Sequence, residues 1–440
     1  MILVVIAIFG FLYFQKEPTK PGEEDEGTNF ISQFNPFGRP AAEIALPTAV
    51  PSETVSTNDN VGTGTLKLER VSSMPIAGFT LFNKERFKEV PISPPLGEVG
   101  EGSVTPNPTL ALPKGKGTKL TPPSTEFQTA VRYVDKATGN IYQTFVDKMG
   151  EQKFSTTTIF KVYDAYFGNQ GKSVIMRYLK GDERTIETFV GTLPKELLGE
   201  EIIENNEIKG SFLPNNIKDL SASPDGSKIF YLFNSGNSQV GTILNLLNNK
   251  KIQVFDSPFT EWLSQWPNNN MITLSTKPSS SIPGYMYKID STGKNLTKVL
   301  GEINGLTTLT SPNGKLVLHS NNNLLLSVYH SDSRNSDILG VKTLPEKCVW
   351  DKMSDFVYCA VPKLINFGEY PDTWYQGEVL FSDQFWKIDI KTGNATLLLN
   401  PATIIGSEEI DALKLTLDVD ENYLFFVNKK DSFLWKLELK

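Results

Sequence analysis

The chain is poor in the residues that carry most recognisable chemistry. Its 440 residues include only two cysteines, Cys348 and Cys359, and two histidines, His319 and His330. These four do not make a four-ligand zinc site, and no metal is expected. With so few histidines and no glycine-flanked nucleophile elbow, no Ser/His/Asp grouping can be assembled. No catalytic residue and no cofactor are therefore assigned. Positive charge is not in surplus either: the net charge is −7. A nucleic-acid partner requires clustered Lys and Arg against phosphates, and this balance excludes it. No phosphate loop is present. Gly168-Asn169-Gln170-Gly171-Lys172-Ser173 puts two residues between its glycines where four are needed, and a strand pattern follows instead of a helix. Asp418-Val419-Asp420-Glu421-Asn422 starts like a calcium loop but lacks the later glycine and glutamate, so it reads as a hairpin turn.

Long apolar runs are also scarce, with one exception. Met1–Phe14 is apolar apart from Gly10 and the Tyr13 hydroxyl. As a helix it would reach about 21 Å, short of the ~30 Å hydrocarbon core of a bilayer. It can be read as the end of a longer membrane helix, the apolar part of a secretion signal, or a buried strand. The aromatics at its end suit a membrane interface, and no small-residue cleavage site follows, which favours a (partial) transmembrane anchor over residues 1–14. Residues 15–64 hold three cations against eight acids, with many Pro, Ser and Thr. Such a stretch buries too little apolar surface to offset its chain entropy and is expected to be a flexible linker. The expectation is a single-pass protein of the cell membrane, with its body, residues 65–440, outside the cytoplasm.

What the body does contain is repetition. Ser223-Pro224-Asp225-Gly226-Ser227-Lys228-Ile229-Phe230-Tyr231 and Ser311-Pro312-Asn313-Gly314-Lys315-Leu316-Val317-Leu318 are two copies of a polar turn running into an alternating apolar strand. Seven such runs can be found, near Val131, Ile175, Ile229, Ile272, Val317, Val357 and Leu424. Where nothing is inserted they lie 40 to 45 residues apart. That period, with strands in every unit, predicts an all-β, seven-bladed β-propeller. Two insertions interrupt it, at 84–124 and 362–382. The last unit supplies only three strands, Ala412–Leu417, Tyr423–Val427 and Phe433–Leu439. Thr65–Ser72 reads as an N-terminal strand completing that last blade, which would hide two open sheet edges.

The Ser-Pro-Asp-Gly-x-Lys-Ile pattern resembles the WD40-like repeats of TolB-type propellers. Arg132–Tyr142 and Tyr370–Gly377 also resemble uncharacterised membrane-anchored propeller proteins of candidate-phyla bacteria. The resemblance implies an architecture and an anchor, and no activity.

Two local features stand out. Cys348 and Cys359 lie symmetrically about Met353-Ser354, so they can face each other across a hairpin. A cross-strand disulfide is the expectation outside the cytoplasm, with buried free thiols as the alternative. The second insertion gathers Tyr370, Trp374, Tyr375 and Phe381, a candidate aromatic binding surface for a protein or glycan; the alternative is a loop folded over its own blade. The function expected is an interaction module. A hydrolase or lyase acting on cell-surface polymers, and a structural envelope scaffold, are the alternatives.

Overall fold

The computed structural model describes residues 66–88, 124–148, 150–196, 198, 206–404 and 408–440. These form seven four-stranded antiparallel sheets, the blades of a β-propeller. Six blades use consecutive strands. The first runs Ile76–Phe87, Thr125–Asp135, Ile141–Phe145 and Gln152–Lys153. The seventh uses Ala412–Leu417, Tyr423–Asn428 and Leu434–Glu438, and its fourth strand is Leu68–Arg70. There Leu68, Glu69 and Arg70 pair with Leu437, Lys436 and Trp435. The expected anchor (1–14) and linker (15–64) lie outside the described residues. Among the described residues no helix is long and apolar enough to cross a membrane.

Turn chemistry explains why the repeats fold as hairpins. The Ser223 hydroxyl accepts from Lys228 N (3.0 Å), and Asp225 accepts from Ser223 Oγ (2.6 Å) and Ser227 N (3.0 Å). Gly226 closes the turn at φ 66°, which a side chain would oppose. Ser311 and Asn313 repeat these bonds at 2.7–3.0 Å. In blades 6 and 7 an aspartate takes the serine's place. Asp351 accepts from Asp355 N and Phe356 N, and Asp418 from Asn422 N and Tyr423 N, all at 2.7–3.0 Å. Asp418 is thus the anchor of a hairpin turn.

Each second strand is buried on both faces, as Val131, Tyr133 and Val134 illustrate, because a blade is covered by its neighbours on both sides. Neighbouring blades approach closely at the hub. A Cβ on Gly78, in the innermost strand of blade 1, would sit 1.9 Å from the Ala165 carbonyl oxygen of blade 2. Between blades 7 and 1, Ile76 N donates to Ser432 O (2.8 Å).

One detail differs from the sequence reading. The strands of the blade 1 hairpin continue to Phe87 and resume at Thr125, so residues 84–87 belong to the sheet. Lys84, Glu85 and Arg86 are three polar residues in a row, so no apolar alternation marks them as strand in the sequence. His319 is a buried strand residue whose Nε2 lies 3.0 Å from Ser336 Oγ, and burial lowers its pKa to about 4. Cys348 and Cys359 are directly paired in blade 6, and their sulfurs are bonded.

Candidate functional site

Strand direction defines two faces. The upper face, as named here, carries the loops between second and third strands and the starts of the innermost strands. The second insertion lies on it, between Phe356–Pro362 and Asp383–Asp389. It contains one short helix, Asp372–Gln376, ended by Gly377 at φ 79°.

The insertion folds inward. Tyr370, Trp374 and Phe381 are 3%, 4% and 2% exposed and pack on Leu324 and Leu344. Trp374 and Phe381 stack with centroids 6.2 Å apart. Of the four candidate aromatics, Tyr375 alone keeps substantial exposure, at 40%. Its hydroxyl donates to Glu346. The first three are therefore the small core of a wall over the upper face, without free rings for a ligand to stack on. Asp372 fixes one end of that wall by accepting from Ser280 N of blade 4 (2.6 Å). Lys429 of blade 7 fixes the other, donating to Trp374 O with its Nζ 4.0 Å from that ring's centroid.

Beneath the wall is an ionic cluster that the sequence did not suggest. Lys347 Nζ lies 2.5 Å from Asp411 Oδ1 and 2.7 Å from Asp383 Oδ2, and all three side chains are fully buried. It also donates to Ala412 O at 2.9 Å. Asp411 Oδ2 accepts from Trp374 Nε1 and Phe381 N, both at 3.0 Å. Asp383 Oδ2 accepts from Ala412 N at 2.7 Å, while Asp383 Oδ1 is buried without a partner. Burial pushes Asp383 up to about 6 despite the pull of Lys347.

The wall spans blades 4 to 7, and beside it the upper face stays open. A cleft of about 400 Å³ lies among blades 7, 1 and 2. Lys136, Lys414, Lys429, Tyr163 and Asp164 are among its lining residues. Lys414 sits at a bulge in the innermost strand of blade 7, at φ 55°. The bulge sends its side chain across blade 1, where Nζ bonds Ala77 O (2.9 Å) and then Asp164 Oδ1 of blade 2 (2.7 Å). Arg177 Nη1 lies 3.3 Å from Asp164 Oδ2. Asp164 is held below its ordinary pKa: burial would raise it, but Lys414 and Arg177 outweigh burial. Lys136 bonds only a hydroxyl, Ser432 Oγ at 3.1 Å, and Lys429 only a carbonyl and a ring. Among the described residues, neither has a carboxylate within ion-pair distance. Burial lowers the pKa of Lys429.

A larger cleft of about 560 Å³ lies between blades 1 and 2, toward the lower face. Its buried cation, Arg132, is neutralised by Glu196 at 2.9 Å and sandwiched by Phe82 and Phe154 at 4.6 and 4.1 Å. That charge is already satisfied within the chain. Among the described residues, no group of His, Cys, Asp and Glu is arranged to hold a metal.

The fold defines the class, a seven-bladed β-propeller. No protein-family model and no curated sequence matches the chain. Solved structures of propeller proteins do. The oligogalacturonate lyase of Vibrio parahaemolyticus matches at 8% identity and TM-score 0.49, over 71% of this chain and 86% of that one. TolB from Acinetobacter baumannii matches at 9% identity and TM-score 0.37, over 69% and 60%. Likenesses this distant carry no activity across. The blade assignment rests on this chain's own strand pairing.

Glu346 gives the wall a pH dependence. Burial raises its pKa from the ordinary 4.5 to about 7. The folded state then holds this proton more tightly than the unfolded chain, so this contribution is present at low pH. It is lost as pH rises from about 4.5 to about 7. Asp383 acts in the same direction at slightly lower pH. In thermal melts from pH 4 to pH 8, Glu346→Gln should flatten the decline and melt above the wild type at pH 8. An unchanged profile would show that Glu346 titrates normally.

Proposed function

We propose that this chain is a membrane-tethered, extracytoplasmic interaction module. Its upper face takes a protein or glycan partner that presents acidic groups to the cleft among blades 7, 1 and 2. One observation carries the reading: the insertion is packed as a fixed wall over blades 4 to 7 and leaves open a cleft containing two ammonium groups without carboxylate partners among the described residues. Lys429 is partly desolvated and gains most from an arriving carboxylate, because part of the cost of removing it from water is already incurred, and exposed Lys136 adds a second positive charge. The wall's aromatics support the site by shaping it. The tether and the outside placement rest on the apolar run at 1–14 and the acidic linker.

The test is photo-cross-linking in intact cells from residue 136, in the cleft, and from residue 391, in an exposed turn on the opposite face. Adducts are expected from 136, absent from 391 and lost with Lys429→Gln. No adduct from 136, or equal adducts from both, would overturn the reading. Protease treatment of intact cells should remove the body, and full protection would overturn the outside placement.

A polymer-cleaving enzyme is the second reading, and one observation favours it. Asp164 is held below its ordinary pKa and Asp219 above it, and both fields act on the same buried hydroxyl, Tyr166. Groups with pKa values pushed apart are how acid and base roles are divided. Release of new polysaccharide ends by the purified body, abolished in Asp219→Asn, would establish it.

A further inference from the structure

The ionic cluster under the wall has the parts of a condensation site. An ammonium sits against a carboxylate with all bulk water excluded, since Lys347, Asp383 and Asp411 are each 0% exposed. The rings of Trp374 and Phe381 lie 5.3 and 5.4 Å from Nζ. With bulk water excluded, the amine and the carboxylate face only each other and their fixed hydrogen-bond partners. Lys429 Nζ also lies 4.0 Å from the Trp374 ring centroid. The two carboxylates differ in their partners. Asp411 Oδ2 is held by two N–H donors, whereas Asp411 Oδ1 faces the Lys347 nitrogen at 2.5 Å. Asp383 presents one oxygen to the same nitrogen and keeps Oδ1 buried with no hydrogen-bond partner.

We propose that Lys347 and Asp411 condense into an intramolecular amide, a covalent strut from the connection entering blade 6 to the innermost edge of blade 7. The chemistry balances without any co-reactant. Lys347 Nζ gives a proton to Asp383 and, as the neutral amine, forms a bond to Asp411 Cγ. Trp374 Nε1 and Phe381 N hold Asp411 Oδ2 as negative charge develops on it, and Oδ2 remains as the amide oxygen. The bond from Cγ to Oδ1 breaks, and Oδ1 leaves as water with two of the three ammonium protons. Asp383 relays a proton to it and returns to its starting state. An ammonium and a carboxylate become one amide and one water, with no change in net charge.

This site lies beneath the wall and does not depend on what the open cleft binds. The experiment uses the full chain, purified, denatured and reduced so that the Cys348–Cys359 bridge does not contribute to the mass. The expected result is a mass one water below that of the sequence, and a branched peptide joining Lys347 to Asp411 in the protease digest. A full-mass chain yielding linear peptides around both residues would overturn the proposal. Asp383→Asn keeps the volume and should fold, yet condense slower by about 100-fold or more for want of a relay. If this variant forms the branched peptide as fast as the wild type, the role assigned to Asp383 is overturned. A variant that unfolds leaves the wild-type mass as the deciding measurement.

Discussion

A chain lacking residues 65–72 will fail to give a stable propeller, either collapsing in soluble yield or melting about 10–20 °C lower, at a few °C per kcal/mol. The segment replaces an open sheet edge with a ladder. Leu68, Glu69 and Arg70 pair with Leu437, Lys436 and Trp435, and Val71 N and Ser72 N both reach Leu434 O. Ser72 Oγ accepts in return from Leu434 N at 2.9 Å. Val71 is buried between blades 7 and 1, Lys436 Nζ pairs with Glu69 at 3.0 Å, and Arg70 lies 4.8 Å over the Phe433 ring. Net hydrogen bonds contribute about 1 kcal/mol each. Burying the apolar side chains adds about 1.5–3 kcal/mol apiece. The sum is comparable to the whole stability of an ordinary domain, about 5–15 kcal/mol. Comparing thermal melts of the body with and without the segment checks this. A truncated body that melts within a degree or two of the intact one would show that the fourth strand of blade 7 is dispensable.

The second large effect is expected at Asp411. Asp411→Ala should cost about 3–5 kcal/mol, the usual result of breaking a buried ion pair from one side. Lys347 would keep only Asp383 and the Ala412 carbonyl, and the Trp374 indole and Phe381 N–H would lose their acceptor with no water to replace it. The cost holds whether the contact is an ion pair or an amide, because either one joins blade 6 to blade 7. The wall should loosen first, since Trp374 and Phe381 are seated by that carboxylate. Limited proteolysis should therefore cut between residues 363 and 382 in the variant and spare this loop in the wild type. Equal cleavage, with an unchanged melt, would show that Asp411 does not hold the wall.

The legible part of this protein is the part governed by short-range rules. Ser223-Pro224-Asp225-Gly226 and its Ser311 copy announce hairpins because serine, aspartate and glycine satisfy a tight turn within five residues. The Asp351 and Asp418 turns make equivalent bonds with different letters, which is why those repeats look degenerate. Cys348 and Cys359 could be placed opposite each other because a hairpin register is local. The aromatics of the insertion could be located but not oriented. Whether Trp374 turns outward to a ligand or inward to Leu324, Leu344 and Asp411 depends on residues from two other blades.

The charged groups were illegible for the same reason. Lys347, Asp383 and Asp411 belong to no motif, and Lys414 reaches Asp164 across an intervening blade only because a bulge aims it there. The sequence alone determined the strands, their turns, their count and hence the all-β propeller, because strand period and turn chemistry act over a few residues. The tertiary structure alone decided which cations are neutralised and which remain open on the upper face. Charges separated by many residues meet only where blades pack around a common hub, and their strength depends on the water that packing excludes.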